Sequence, residues 1–212
     1  MAPDTLSLTG KIAIVTGAGR EPGIGAGIAT ALLATARLWR ISSRLRGAAE
    51  LAKKTLEAFE TAHIDILSPY HNRRLGITRS LLIPHLVRAV VSHMPPGGRI
   101  VNISSISSKI SLPNMPFYNA AKAASDSLTH SWADEDHGQF VSARPRDDGY
   151  VQGIQEQPGG EEATQYMIKR TRAAERLGEI EDVADAVLLI VQEKSRFITG
   201  QYIDVAGGLT DR

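Results

Sequence analysis

The sequence predicts an α/β fold in which helices cover both faces of a doubly wound parallel sheet, giving three layers. Short runs rich in β-branched residues alternate along the chain with longer helical segments, which is the pattern of consecutive β-α-β units. The first run is apolar throughout, as expected of a strand buried on both faces of a parallel sheet. It leads directly into a glycine-rich turn and an alanine-rich helix, so the fold is expected to begin with such a unit.

The length and composition of the chain fit one domain spanning residues 1–212. A chain of 212 residues with 42% hydrophobic content can bury a sizeable core. A net charge of +1, with scattered basic residues, argues against binding to nucleic acid or to a membrane. The absence of cysteine excludes disulfides, thiolate nucleophiles and cysteine-ligated zinc. No apolar run has the length of a membrane span and the amino terminus lacks a signal peptide's apolar core, so a soluble cytoplasmic protein is expected.

A glycine-rich turn follows the first predicted strand, which covers residues 11–16. Four glycines would let the backbone approach a pyrophosphate closely: Gly17, Gly19, Gly23 and Gly25. The helix that starts near Ile24 would add amide donors and the positive end of its dipole. Strand, turn and helix in this order therefore predict a dinucleotide site. The alternative, a tight connection without a ligand, fits the glycines alone equally well.

The second strand is predicted from Leu38 to Ser43, and its end is where such a fold meets the adenine ribose. Ser43 and Arg44 stand there, and Arg20 in the glycine turn could reach the same group. A hydroxyl and a guanidinium suit a 2′-phosphate, whereas a free 2′-hydroxyl is usually bound by an acidic side chain. NADP(H) is therefore favoured over NAD(H). The alternative is that both arginines are ordinary solvated charges.

Three further elements are predicted before Arg99. They are a helix over 47–59, a short strand over 63–67 and, within 75–94, a helix broken or started near Pro84. Beyond Arg99 the predictions are a strand over 100–103, a helix containing Tyr118, a strand over 139–143, helices over 161–174 and 179–194, and a last strand over 202–205.

The stretch 134–160 is rich in charged residues, glycine and proline, and is predicted to be a mobile loop near a substrate. Four adjacent side chains at its start could suggest a metal site: Asp134, Glu135, Asp136 and His137. Consecutive side chains at a helix end cannot converge on one ion, so a solvated helix terminus and no metal are predicted.

Tyr118 and Lys122 stand four residues apart on a predicted helix, so their side chains share one face. A free phenol has a pKa of about 10 and is a poor proton donor at neutral pH. A fixed ammonium one turn away favours the phenolate and makes the phenol a better acid. The pair is therefore a candidate general acid. Because the spacing is a short motif, an ordinary pair on a helix surface is the alternative.

Serine hydroxyls follow the predicted strand that precedes this helix: Ser104, Ser105, Ser107 and Ser108. The strand is apolar with one polar interruption, which suggests a buried strand that delivers side chains to the edge of a sheet. Ser105 could hydrogen-bond a carbonyl oxygen and hold it at the phenol, where negative charge develops as hydride arrives.

Five separated motifs follow one another in a characteristic order: TGAGREPGIG, NISS with Ser105 thirteen residues before Tyr118, YNAAK, RLGEIEDVADAV and FITGQYIDVAGG. Together they resemble the classical short-chain dehydrogenase/reductase family over most of the chain. The resemblance implies a Rossmann-like sheet, a nicotinamide dinucleotide, and reversible hydride transfer between a carbonyl and an alcohol. It also implies a homo-oligomer, either a dimer or a tetramer.

The same resemblance implies a role for each candidate site residue. It implies that Tyr118 is the acid/base, that Ser105 orients the substrate, and that Lys122 binds the nicotinamide ribose and tunes the phenol. Arg20 in the glycine turn, and Ser43 and Arg44 after the second strand, match family members that prefer NADP(H). The chain as a whole is similar to fungal NADP-dependent ketone reductases.

The chain also departs from the family pattern. The cofactor turn contains two extra residues, Glu21 and Pro22, and SPYHN replaces the expected Asn-Asn-Ala-Gly motif. The chain is shorter by about one strand and one helix between the second strand and Arg99. The family's fourth catalytic residue, an asparagine, would fall near Arg79 or Ser80, and the Pro-Gly turn after the strand over 139–143 is missing.

Three functional hypotheses follow. The first is an NADP(H)-dependent reductase of a small-molecule ketone in which Tyr118 donates the proton. The second is a non-catalytic family member that binds a ligand or serves as an inactive subunit. The third is dehydration or cyclisation by acid/base catalysis at Tyr118 without a cofactor.

Overall fold

A computed structural model describes residues 7–19, 23–41, 48–69, 82–110, 115–135, 139–145 and 159–209. Within these ranges the strands are β1 (Ile12–Thr16), β2 (Arg37–Ile41), β3 (Ile66–Ser68), β4 (Arg99–Ile103), β5 (Gln139–Pro145) and β6 (Gln201–Val205). The helices are α1 (Ile24–Leu33), α2 (Ala48–Phe59), α3 (Leu82–Val91), α4 (Ser107–Ile110), α5 (Pro116–Glu135), α6 (Gly160–Arg170) and α7 (Ile180–Val191). A 3₁₀ helix (Glu193–Ser195) follows α7.

The strands form one sheet in the order β2-β1-β3-β4-β5-β6, and every pair is parallel. The chain moves outward from β1 to β2 and then crosses back to β3 on the other side of β1. The predicted doubly wound arrangement is therefore confirmed, and the crevice between β1 and β3 at the carboxyl ends is its switch point. Among the described residues β2 is the outermost strand on its side, where the classical order has one strand more. This matches the predicted shortening after the second strand.

Side chains of the sheet alternate between two separate cores. Ala13 and Val15 pack on one face with α1 and α7, whereas Ile14 packs on the opposite face with α2 and α3. Trp132 and Ala133 of α5 also pack against this second core. Because both faces are covered, β1 can be apolar throughout, and the three layers predicted from the sequence are present.

Several boundaries differ from the prediction for local reasons. The helix predicted near Pro84 begins at Leu82, which places the proline in the first turn, where its missing N–H is not needed. The helix predicted over 161–174 ends at Arg170 because Thr171 has extended backbone angles, and its hydroxyl bonds the carbonyl of Met167. The four-residue helix α4 was not predicted at all.

The strand predicted from His63 begins only at Ile66, and Asp65, directly before it, binds the start of the neighbouring strand through its side chain. The carboxylate of Asp65 accepts hydrogen bonds from the Ile12 amide and the Lys11 ammonium, both at 2.9 Å. Asp65 is 4% exposed, so these contacts replace the water that it loses. The sequence pattern suggested a longer strand, whereas the structure has a buried, hydrogen-bonded aspartate directly before β3.

The amino end of α7 carries an ion pair that makes stability depend on pH. Asp182 accepts the Glu179 amide at 2.7 Å and binds both terminal nitrogens of Arg176 at 2.7 and 2.8 Å. The hydrogen bonds from Arg176 lower the pKa of Asp182 from 3.8 to about 2. Because the pKa is lower in the folded chain, this contribution to stability is present above about pH 4 and is lost as the pH falls towards 2.

We expect Asp182→Asn to reduce the free energy of unfolding at neutral pH by about 1 kcal/mol, since the pair is partly exposed and solvent screens it. The loss should shrink as the pH falls from about 4 to about 2. Urea unfolding across this range measures both effects. Asp185→Asn, which alters an exposed carboxylate on the same helix, is the matched control. An equal loss for both variants at every pH would contradict this account.

None of the helices within the described ranges is both long and apolar enough to cross a membrane.

Candidate active site

The candidate site lies where β4 ends and α5 begins. Ser104 and Ser105 directly follow β4, whereas Tyr118 and Lys122 belong to the first two turns of α5. Pro116 is the first residue of α5, a position where its fixed backbone angle favours helix and its missing N–H costs nothing. Since all strands are parallel, this edge of the sheet also carries the turn that follows β1.

Lys122 is a buried, hydrogen-bonded cation at this site. It is 1% exposed, and its ammonium donates a hydrogen bond of 2.8 Å to the carbonyl of Ile103, the last residue of β4. The same nitrogen lies 5.7 Å from the centre of the Tyr118 ring. Burying an ammonium is unfavourable unless it has polar partners, so the hydrogen bond to Ile103 restricts where the Lys122 nitrogen can lie. The structure therefore places a fixed positive charge beside the phenol-bearing ring.

The two serines after β4 have different environments. Ser104 donates its hydroxyl to the carbonyl of Lys122 at 3.3 Å, which ties the strand end to α5. Ser105 instead accepts the amide of Ser107 at 3.2 Å, and its carbonyl accepts the Ser108 hydroxyl at 2.8 Å. Ser105 thus caps α4 through its oxygen, and its O–H proton is not used in that bond. Both serines are buried, and of the two only Ser104 donates its hydroxyl to a backbone carbonyl in the contacts given above.

The glycine turn after β1 is shaped by close backbone approach. Gly17 has a φ of 70°, in the left-handed region that favours glycine. A Cβ on Gly25 would lie 2.7 Å from the carbonyl oxygen of Gly17, closer than any side chain allows. Gly23 caps α1 without a side-chain hydrogen bond, and the first turn of α1 contains no acidic residue. Within the described residues, the amide end of α1 thus carries neither a side-chain cap nor an acidic side chain, which suits a phosphate group.

The remaining residues of this turn have distinct surroundings. Gly19 is exposed, whereas Ile24 at the start of α1 is 2% exposed and belongs to the core shared with α7. Packing of the Ile24 side chain in this core therefore fixes the start of α1 against the sheet. The residues proposed for a 2′-phosphate lie outside the described residues: Arg20, Ser43 and Arg44. Asp136, His137 and most of the predicted substrate loop also lie outside them.

A group of charged residues that the sequence analysis missed lies beside the site. Arg144 of β5 contacts Asp126 of α5 at 2.9 Å and Asp204 of β6 at 3.6 Å. Lys109 of α4 contacts Asp204 at 3.1 Å. Burial, and secondarily the charge of Asp126, raises the pKa of Tyr202, whose ring stacks on Arg144. These residues are far apart in sequence, and the pairing of β5 with β6 and the positions of α4 and α5 bring them together, so no local pattern could indicate them.

A second missed feature did leave a signal in the sequence. Asn102 is the one polar residue within the apolar run of β4, and it is completely buried. Its amide donates a hydrogen bond of 2.7 Å to the hydroxyl of Thr129 on α5. The polar interruption of a buried strand thus marks a specific contact with the helix that carries Tyr118.

The comparison with known proteins covers most of the chain. A family profile described as enoyl-(acyl carrier protein) reductase matches residues 82–210, more than half of the chain. The short chain dehydrogenase PenD of Penicillium thymicola is 30% identical over 267 aligned positions, which cover 97% of this chain and 94% of PenD. This second match extends over the amino-terminal strands as well.

Other matches are partial or structural. The short-chain dehydrogenase/reductase FrzI of a Cladobotryum species is 34% identical over 131 residues, covering 58% of this chain and 51% of FrzI. FrzI and two further curated relatives are each matched over only about half of their own length. The promiscuous reductase LugOII, which catalyses keto-reduction at C1 during lugdunomycin biosynthesis, superposes with a TM-score of 0.74 at 26% identity, covering 95% of this chain and 98% of LugOII. The resemblance noted in the sequence is confirmed, and the chain belongs to the short-chain dehydrogenase/reductase family.

Proposed function

We propose that the protein is an NADP(H)-dependent reductase that converts a small-molecule ketone to an alcohol. The observation that carries the proposal is the buried ammonium of Lys122, held by the end of β4 and 5.7 Å from the ring of Tyr118. A helix-surface pair, the alternative considered for this spacing, would leave the lysine solvated, and Lys122 is 1% exposed. Burial of a charge is costly unless polar partners compensate it, and titratable groups buried in this way cluster at functional sites.

The residues of the glycine turn fit a dinucleotide. A side chain at position 25 would fill the space next to Gly17, and the amino end of α1 lacks a side-chain cap. Backbone amides there can bind the pyrophosphate, and the helix dipole favours its negative charge. For the adenosine half, the hydroxyl of Ser43 and the guanidinium groups of Arg20 and Arg44 suit a 2′-phosphate. When bound, the cofactor would supply a hydride to the carbonyl carbon.

The other steps belong to the chain's own side chains. The hydroxyl of Ser105 would hydrogen-bond the carbonyl oxygen and hold it at Tyr118. The phenol of Tyr118 would donate a proton to that oxygen as its negative charge grows. The ammonium of Lys122 stabilises the phenolate left behind, and the family resemblance adds a contact with the nicotinamide ribose. The backbone contact with Ile103 keeps this charge in place throughout.

The substrate class is supported by the relatives. LugOII catalyses a keto-reduction, and its sequence is 26% identical over nearly the whole chain. PenD and FrzI are fungal short-chain dehydrogenases, which agrees with the fungal similarity seen in the sequence. A ketone is accordingly the substrate class that we propose for this chain.

Deuteride transfer tests the proposed reaction. The protein is incubated with NADPH carrying deuterium at C4 and with a panel of aliphatic, cyclic and aromatic ketones. We expect one deuterium on the carbinol carbon of the product, detected by mass spectrometry, and matching consumption of NADPH. Turnover that persists without cofactor and disappears in Tyr118→Phe would favour dehydration or cyclisation instead. A folded protein without turnover on any ketone would favour the non-catalytic hypothesis.

The preference for NADPH over NADH can be tested separately. We expect the double variant Arg20→Ala/Arg44→Ala to weaken NADPH binding by roughly 10- to 100-fold, because charge-assisted bonds to the 2′-phosphate are lost. Binding of NADH should change less than about threefold, since it lacks that phosphate. Fluorescence titration with each cofactor measures both. Lys194→Ala, an exposed cation at the opposite end of the sheet, is the control. Equal weakening of the two cofactors would contradict the proposed role of these arginines.

A further inference from the structure

The helix that carries Tyr118 and Lys122 presents a polar stripe to the sheet. Ser125, Asp126 and Thr129 continue the line from these two residues at helical spacings of three and four, so all five lie along one side of α5. Lys122, Ser125, Asp126 and Thr129 are each no more than 4% exposed. A helix packed on a sheet normally buries an apolar stripe there, so this arrangement requires an explanation.

Besides the Lys122–Ile103 hydrogen bond and the Arg144–Asp126 ion pair, two contacts between uncharged strand side chains and this stripe join α5 to the sheet. Asn102 of β4 donates its amide to the Thr129 hydroxyl at 2.7 Å, and that hydroxyl donates to the Ser125 carbonyl at 2.9 Å. Ser142 of β5 donates its hydroxyl to the carboxylate of Asp126 at 2.5 Å. Asn102 and Ser142 are direct partners in the parallel pairing of β4 with β5, so they stand side by side under α5. Two neighbouring residues of adjacent strands thus each hydrogen-bond a side chain of the helix.

These contacts are not optimal for stability. The side-chain oxygen of Asn102 and the hydroxyl of Ser125 are buried and make no hydrogen bond within the described part of the chain. Each such group destabilises the fold, and apolar residues of similar shape in place of both partners are often neutral or stabilising. The polar pairs are therefore better explained by specificity, because they allow only one position of the helix on the sheet, as buried polar pairs do in coiled coils.

We infer that Asn102 and Thr129, together with Ser142 and Asp126, are positioning residues for the reaction proposed above. Thr129 lies eleven residues beyond Tyr118, about 16 Å along the helix. A slide of α5 by one residue would move the phenol by about 1.5 Å. Misplacement of about 1 Å at a reacting group can cost roughly 100-fold in rate. The pairs thus hold Tyr118 and Lys122 at the end of β4 through the position of the helix.

The test compares the removal of the polar pair with its conservative replacement. Asn102→Leu/Thr129→Val removes both partners at similar volume, Thr129→Val removes one hydroxyl, and Thr129→Ser keeps it. We expect the double variant to keep its melting temperature within a few degrees and its NADPH affinity within about threefold, while kcat for ketone reduction falls roughly 10- to 100-fold. Thr129→Ser should keep kcat within about threefold. A double variant that is stable and retains wild-type kcat would overturn the inference.

This inference rests on the proposed function, so a second readout is needed that does not require turnover. In protein labelled with ¹³C at the tyrosine ring carbon Cζ, Tyr118→Phe identifies the Tyr118 signal. We expect the pH titration of that signal to shift in the double variant and to match wild type in Thr129→Ser. If the double variant fails to fold, Thr129→Val gives the same comparison. An unchanged titration in a folded variant would overturn the positioning role, whereas absence of turnover in the wild-type protein would overturn only the proposed function.

Discussion

Tyr118→Phe is expected to lower kcat for ketone reduction by about 1,000-fold, because the carbonyl oxygen would lose its proton donor. The substitution removes one oxygen and keeps the ring that lies 5.7 Å from the Lys122 ammonium. Packing, and with it NADPH affinity, should therefore change less than about threefold. Steady-state kinetics and a cofactor titration on the same preparation separate the two effects.

Tyr166→Phe is the matched control for this substitution. Tyr166 lies on α6, is 60% exposed, and accepts a hydrogen bond only from the neighbouring Arg170 among the contacts of the described residues. Removal of its hydroxyl should leave kcat within about twofold. If Tyr118→Phe retained more than a tenth of the wild-type kcat, Tyr118 would not be the proton donor.

Gly25→Ala is expected to abolish measurable NADPH binding, with a loss of at least about 100-fold in affinity. The added Cβ would lie 2.7 Å from the Gly17 carbonyl oxygen and 3.0 Å from that of Thr16, and both are backbone atoms that cannot rotate away. The turn must open, and the amides that we propose for the pyrophosphate then lose their arrangement. We also expect the free energy of unfolding to fall by about 1–3 kcal/mol, as for other overpacked sites.

Gly178→Ala is the control, because the nearest atom to its added Cβ lies 3.9 Å away, on the side chain of Asp182. It should bind NADPH like the wild type and lose little stability. Urea unfolding shows which fraction of each variant is folded during the titration. A folded Gly25→Ala variant with wild-type NADPH affinity would contradict the placement of the cofactor at this turn.

The features that local sequence determines were predicted correctly. The apolar run before Gly17 forms β1, and α1 begins at Ile24, because strand burial, turn and helix start all depend on neighbouring residues. The proline at position 84 indicated the start of α3 for the same reason. The shortening after the second strand was accessible only through the family resemblance, and the strand order itself was not predicted.

Features that depend on distant residues were missed. The strand predicted from His63 begins only at Ile66, and the contacts of Asp65 with Lys11 and Ile12 just before it are between distant residues, which no local pattern shows. The different environments of Ser104 and Ser105 arise from Lys122 and from α4, respectively. The order of the motifs linked Ser105 with Tyr118 in the sequence. The structure adds that the ammonium of Lys122 is buried beside the Tyr118 ring and bound by Ile103 at the end of β4.

The most direct test of the account is fluorescence titration of the wild-type protein with NADPH. The central claim is that a dinucleotide binds between the Gly17 turn and the Tyr118 helix despite the shortened chain. The account predicts saturable binding with a dissociation constant in the micromolar range and weaker binding of NADH. A folded protein that shows no binding up to millimolar NADPH would contradict it.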